Sequence, residues 1–357
     1  GDTGVTPIAP TSLDALAETI AASAPAPLTV RGAGTKARWA AGSTTLDMRA
    51  LSGLVAYDPA ECVVSVRAGT PVGDLAATLA PHGQYLPWDP PLAAEGATVG
   101  GMIASGWNGP GRYRYGGMRD FVTGARVVDG AGRVVTSGGQ VVKNAAGFLL
   151  HHALVGSQGR LGVVAEVSLK VFPAPESTTT LVATFASSAA ALAAHERVRL
   201  CGLELDALDL AGPTLTLLAR LAGAAEGMPA RVDRACRAMS VAAEVLAGDD
   251  QRAAWERHTL RPTADAPLVK VPATPSRLAG LIAACDALAA WHVSCGGAAI
   301  YLRPTASLDA VHDVVTRLGA RGVIIAGPAT GRFVGRPSVS PFADRVRATL
   351  DPHGRFR

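Results

Sequence analysis

Apolar residues recur at helical spacing near the start of the chain, where Leu13, Leu16, Ala17 and Ile20 share one face of residues 11–22 behind the capping residues Thr11 and Ser12. An amphipathic helix is predicted there. The pattern then shortens to that of strands at residues 28–30, 44–48 and 63–68, and Gly69-Thr70-Pro71 closes the last of these and opens a helix over 72–80. Pro87, Pro90 and Pro91 exclude a helix or a central strand from residues 84–91. Residues 121–128 and 133–137 predict a hairpin across Asp129-Gly130-Ala131-Gly132, and an alternating strand over 165–171 follows a glycine turn at 156–162.

Beyond residue 175 the pattern repeats itself in kind. Strands are predicted at 181–185, 204–210, 214–221 and 242–246, with helices at 189–200 and 229–239; a second set follows, with strands at 267–271, 291–294, 298–303 and 322–325 and helices at 275–289 and 307–318. Each set reads β-α-β-β-α-β, so two ferredoxin-like units side by side predict one antiparallel sheet with helices on one face. A last helix at 341–350 precedes a short tail. The fold class is α+β, with domains expected at 1–175 and 176–328 and a C-terminal segment, 329–357, returning to the first domain.

Residues 96–117, GATVGGMIASGWNGPGRYRYGG, hold eight glycines between an apolar turn and a basic tip. Glycine permits close backbone approach but loses the most freedom on folding, a loss that a bulky ligand offsets. Residues 98–106 read as a turn entering a short helix whose free N–H groups face an anion such as a phosphate. The plainer alternative is a flexible surface loop, against which the apolar Val99, Met102 and Ile103 argue for packing. Arg31-Gly32-Ala33-Gly34-Thr35-Lys36 forms a second turn, whose successive N–H groups make an anion-binding nest to which Thr35 adds a hydroxyl and Lys36 a charge. It is neither a Walker A loop nor a GxGxxG turn. A simple strand-to-turn joint is the alternative there.

Composition narrows the class. A chain of 357 residues, 48% hydrophobic and 17% charged, forms two or three globular domains, which excludes disorder and collagen. The net charge of +4 rests on scattered arginines with no basic run, so no nucleic-acid surface is indicated. Cys62, Cys201, Cys236, Cys285 and Cys295 contain no CxxC pair, which excludes a disulfide scaffold and a zinc site of that kind. The sequence shows neither a signal-type leader nor an apolar run of about 18 residues. A reducing, cytoplasmic location is expected.

Six segments carry a resemblance: RGAGTK at 31–36, PWDPP at 87–91, ATVGG at 97–101, the GxxRxRYGGMRDFVTGARVV block at 109–128, VVKNAAGF at 141–148 and GSQGRLGVVAEVSLKVFP at 156–173. Together they resemble the PCMH-type FAD-binding domain of the vanillyl-alcohol oxidase superfamily, and within it the FAD-binding subunits of bacterial glycolate oxidases. The resemblance implies a two-part FAD-binding domain followed by an antiparallel-sheet cap. It also implies that Arg31, Gly32, Ala33, Gly34, Thr35 and Lys36 form the pyrophosphate loop, with Pro90 nearby. Ala97, Thr98, Val99, Gly100, Gly101, Ala104, Ser105 and Gly106 would line pyrophosphate and flavin, Arg112 would reach the cofactor, and Gly156, Gly159, Gly162, Val163 and Val164 would pack beside it. Many relatives tether FAD through a histidine where this chain has Thr35 and Lys36; none lies there, so non-covalent FAD is expected.

By the same resemblance, the partners expected are a catalytic FAD subunit and an iron–sulfur subunit, with a small 2-hydroxy acid as substrate of the complex and membrane contact only peripheral, through partners. Oxidising such a substrate needs a base for the hydroxyl proton and a cation for the carboxylate. Arg112, Arg114 and Arg119 are candidate carboxylate clamps, with FAD phosphate or Asp120 as their alternative contacts. No catalytic base is identified: the eight histidines read as structural or solvated, and the histidine-rich HGDGN-type metal motif of the related catalytic subunits and D-lactate dehydrogenases is absent from the sequence. Three readings follow: an FAD-binding subunit of a complex, a free-standing FAD-dependent 2-hydroxy-acid or polyol dehydrogenase, and a scaffold with a vestigial flavin site. A fourth, the UDP-N-acetylenolpyruvoylglucosamine reductase of the same superfamily, is disfavoured by the placement of Ser105 and Arg114.

Overall fold

The computed structural model describes residues 7–36, 44–139, 149–337 and 340–356, so the expected VVKNAAGF contribution at 141–148 lies outside the described residues. Packing separates two units. The first gathers the described residues within 1–108, 117–173 and 338–357, and the second those within 109–116 and 174–337. Relative to the expected boundaries, residues 109–116 join the second unit, as do residues 329–337.

The first unit begins with helix Leu13–Ala22, whose Ser12 hydroxyl accepts the Ala15 N–H at 3.1 Å. Its apolar face buries Leu16 and Ile20 completely, in a core with Leu28, Leu46, Met48, Leu51, Val128, Val163, Ala165 and Phe356. Strands Leu28–Arg31 and Thr44–Asp47 pair in parallel, with Leu28 opposite Thr44. An antiparallel sheet runs in the order Leu54–Asp58, Val63–Arg67, Val163–Lys170, Val122–Val128, Val134–Gly138. Its first strand was not expected. Leu54 and Val55 stay exposed, so pairing with Val63–Arg67 rather than burial orders it.

The chain end is built into this unit. Arg355 is fully buried, and its guanidinium donates to the carbonyls of Ile20 at 2.6 Å, Ala26 at 2.9 Å and Gly130 at 2.9 Å and to the Ser23 hydroxyl at 2.7 Å. Asp351 accepts the backbone N–H groups of Arg355 and Phe356 at 2.8 and 2.9 Å.

The second unit is one antiparallel sheet. Its strands run Glu244–Leu246, Ser177–Thr184, Thr216–Gly223, Ala207–Ala211, Ala289–Ser294, Ala299–Pro304, Leu268–Pro272, Arg321–Ala326, Phe333–Gly335. Within each β-α-β-β-α-β set the spatial order is fourth, first, third, second strand, and the two sets meet back to back through their second strands. The expected pair of ferredoxin-like units is present. The expected helix at 275–289 is shorter, Leu278–Cys285, because the chain turns into strand Ala289–Ser294. Helix Gly248–His258 was missed. Only Ala254 and Trp255 are buried along it, too few to make a periodic pattern, and Trp255 docks on Ala207 and Leu218 with its indole N–H donated to Thr180 at 2.9 Å.

The seam between the sets has few paired positions: Leu210 faces Val293 and Ala211 faces His292. A buried network reinforces it. Asp209 accepts from His292 Nε2 at 2.8 Å, from the Ser294 hydroxyl at 2.8 Å and from the Cys295 N–H at 3.0 Å, while His292 Nδ1 faces the His258 carbonyl at 3.1 Å. The His292 ring thus bridges Asp209 on one side of the seam and the His258 carbonyl on the other. Removing one member of a buried pair strands the other's charge at a cost of about 3–5 kcal/mol. Asp209→Ala should therefore lower the second unit's stability by that amount in chemical denaturation, and Asp209→Leu combined with His292→Leu by clearly less; a loss under about 1 kcal/mol in the single variant would remove the network from the account of the seam.

Candidate functional site

Three glycine turns meet in the first unit. The turn after strand Leu28–Arg31 has Gly34 at φ +72°, and a Cβ at Gly32 would overlap Thr98 Oγ1, so this turn lies directly on the start of the second. The third seats on the second through backbone. Gly156 N–H donates to the Ile103 carbonyl at 2.9 Å and Gln158 N–H to the Ala104 carbonyl at 2.7 Å, while a Cβ at Gly106, φ +60°, would stand 2.8 Å from Gly156 Cα. Glycine is obligatory at Gly106 because backbone touches backbone.

The short helix Val99–Ser105 does not offer the free donors expected of it. Val99 N–H donates to the Thr70 carbonyl at 2.9 Å, Gly100 N–H to the Ala68 carbonyl at 2.7 Å, and Gly101 N–H to Thr98 Oγ1 at 3.3 Å. The protein satisfies its own helix start. Gly100 is likewise small for an internal reason, since a Cβ there would come within 2.9 Å of Ala68 Cβ, so ligand approach is not what requires it. Val163 sits in the hydrophobic core with Leu16 and Ile20, and Gly162, φ +130°, is held against Val127. Ala97 is buried, Pro90 and Ala104 are half-buried, and the Ser105 hydroxyl donates to the Met102 carbonyl at 3.0 Å.

The available groups lie in the first turn. The N–H groups from Gly32 to Lys36 donate to no other described residue, and the buried Nε of Arg31 has no partner among the described residues. Lys36 Nζ donates to Thr35 Oγ1 at 3.3 Å; burial lowers its pKa to about 8, an effect that Glu95 opposes. Two glycine faces are open: a Cβ at Gly156 would meet nothing nearer than 4.0 Å and one at Gly159 nothing within 4 Å, whereas one at Gly101 would press on Thr98 Oγ1 at 3.2 Å. Unsatisfied donors, a desolvated cation and open backbone faces fit an extended ligand carrying a pyrophosphate.

Residues 7–138 match a family model described as an FAD binding domain. Over those residues the chain is similar to that family. It is 46% identical over 157 residues to glycolate oxidase subunit GlcE of Escherichia coli, covering 43% of this chain and 45% of that protein. It is 34% identical over 141 residues to a D-lactate dehydrogenase of Anaerostipes hadrus, covering 40% of this chain and 29% of that protein. The matched part thus spans less than half the length of these curated relatives. Among solved structures, an alkyldihydroxyacetonephosphate synthase superposes with a TM-score of 0.73 at 16% identity, covering 98% of this chain and 75% of that one. The fold is that of PCMH-type FAD proteins.

Of the expected cofactor residues, only Arg112 falls in the second unit, where its charge acts on Lys270 and Cys295. Arg114 instead pairs with Glu204 at 3.0 Å. Buried His151 meets the Ser137 hydroxyl at 2.9 Å, and burial lowers His195 to about 4, so it is neutral. Among the described residues no three of His, Cys, Asp and Glu gather as a metal site, and no helix is long and apolar enough to cross a membrane. Sequence reasoning passed over Lys270, a lone lysine in an apolar strand, and Asp209, whose partners lie more than eighty residues away.

An anionic pyrophosphate beside Lys36 favours the ammonium, so binding raises its pKa above about 8. The affinity for FAD should then be constant below about pH 8 and fall as pH rises towards the bound-state value, by up to about tenfold per unit. Titration of apoprotein with FAD checks this. Lys36→Met should bind more weakly at pH 7 and lose the pH dependence; an unchanged dependence would move the phosphate away from this turn.

Proposed function

We propose that this chain is the FAD-binding subunit of a glycolate oxidase-type complex that oxidises small 2-hydroxy acids such as glycolate or D-lactate and passes the electrons to an iron–sulfur partner. The observation that carries the reading is the 46% identity to the E. coli glycolate oxidase subunit. In this reading Arg31, the amides of Gly32 to Lys36 and the Lys36 ammonium hold the pyrophosphate. The open faces of Gly156 and Gly159 line the rest of the cofactor, which is bound without a covalent link because no histidine occupies positions 35 and 36. When bound, the flavin supplies a two-electron acceptor, and the chain's own residues fix its position and exclude water from it. A second reading, a free-standing 2-hydroxy-acid dehydrogenase, is favoured by the match to D-lactate dehydrogenase.

The two readings separate on anaerobic mixing of the FAD-loaded chain with glycolate or D-lactate while flavin absorbance is followed. The chain alone should stay oxidised, since no base is assigned to it and general base assistance is commonly worth about 10²–10⁴-fold in rate. Bleaching should appear once the partner flavoprotein is added. Rapid bleaching of the chain alone would replace the subunit reading with the free-standing one.

A further inference from the structure

The last helix of the first unit, Pro341–Leu350, is held at both ends, yet none of its residues is buried. Pro341 stands at its start, the Ser340 hydroxyl accepts the Ala343 N–H at 3.3 Å, and the Asp351 N–H closes the last turn on the Arg347 carbonyl at 2.7 Å. The Gly130 N–H donates to the Leu350 carbonyl at 2.7 Å, and the buried Arg355 clamps the chain just beyond. A helix of 10 residues is marginal in water by itself and ordinarily draws its stability from an apolar face packed on the protein. Here that face is left open.

Phe342, Val346 and Leu350 recur at every fourth position and form one stripe along the helix. Val346 and Leu350 are half-buried, whereas Phe342 is 66% exposed, more than any other large apolar side chain among the described residues. Helical geometry sets Arg345 on one flank of the stripe and Arg347 on the other, each about 100° from its centre. Asp344, behind the stripe, pairs with Arg347 at 3.6 Å, while Arg345 makes no ion pair among the described residues. Aromatic and arginine side chains are the ones that carry most of the binding energy of protein interfaces.

Charge separates the occupants that such a stripe can take. Both flanks carry arginine, so a second copy laid on it in either direction sets arginine against arginine. A bilayer takes a helix by its whole apolar face, and one inserted phenylalanine with two arginines falls short of the anchoring that stable attachment needs. A protein groove with a pocket for one ring and carboxylates on both lips satisfies every group. We infer that helix Pro341–Leu350 is a docking helix, whose stripe enters an acid-lipped apolar groove on the partner flavoprotein with Phe342 as the anchor. That the partner is a flavoprotein subunit rests on the function proposed above; the character of the groove rests on the helix alone. Because both helix ends are already capped, binding orders little further chain.

Phe342 and Arg345 are exposed, so Phe342→Asp and Arg345→Glu should leave the melting temperature and the FAD content of the full chain unchanged. In titrations of the FAD-loaded full chain against the purified partner flavoprotein, Phe342→Asp should weaken binding by about tenfold or more, and Arg345→Glu should slow association and flatten its dependence on salt. A photoreactive benzoylphenylalanine at position 342 should cross-link to the flavoprotein. Undiminished binding in Phe342→Asp, or an unchanged salt dependence in Arg345→Glu, would overturn the inference. So would self-association in sedimentation, or binding to phosphatidylglycerol vesicles, that Phe342→Asp abolishes. A wild-type chain that binds the flavoprotein no better than the two variants do faults the docking helix alone; a wild-type chain that does not bind it at all faults the subunit reading and the inference with it.

Discussion

Glycine backbone pressed against the neighbouring turn is the constraint on which the first unit depends. Gly32 lies on Thr98 and Gly106 on Gly156, at separations that admit no Cβ, and the N–H groups of Gly156 and Gln158 close the contact on the carbonyls of Ile103 and Ala104. Packed this way, three turns from distant parts of the sequence become one surface. The donors that the turns use on each other and on the Ala68 and Thr70 carbonyls are then unavailable to a ligand. What remains is the turn from Arg31 to Lys36, whose amides from Gly32 to Lys36 bond to no other described residue and whose ammonium is desolvated, beside the open faces of Gly156 and Gly159. Dinucleotide binding follows from the groups this packing leaves over.

In the second unit a single carboxylate has the corresponding role. Asp209 joins the two β-α-β-β-α-β halves where the strand pairing between them is shortest, and it also fixes the left-handed corner at Cys295. Because Asp209 is fully engaged there, it does not neutralise Lys270 or Arg112. The same residue thereby closes the sheet and orders its corner.

Much of the fold was legible because its periodicities are strong: the Leu13–Ala22 helix, the strands around Val122–Val128 and the doubled β-α-β-β-α-β order all carry their pattern in consecutive residues. Strand Leu54–Asp58 and helix Gly248–His258 were not, since the first is ordered by pairing at an edge and the second by one tryptophan. The glycine motifs picked out the turns that meet, yet they did not say which glycines pack against protein and which stay open. Gly100 reads like Gly159 in sequence, but only the structure shows Ala68 against one and open space beside the other. Arg112 and Arg114 are equally ambiguous. Their difference lies in Glu204, ninety residues on.

The convergence of the three turns on one flavin is tested most directly by amide hydrogen exchange of the apoprotein and the FAD-loaded chain. The account predicts that FAD slows exchange in all three turns together, most at Gly32 to Lys36, whose amides have no partner among the described residues, and less at Val99 to Gly101, whose amides are already bonded. Protection absent from Gly32 to Lys36, or confined to one turn, would contradict it.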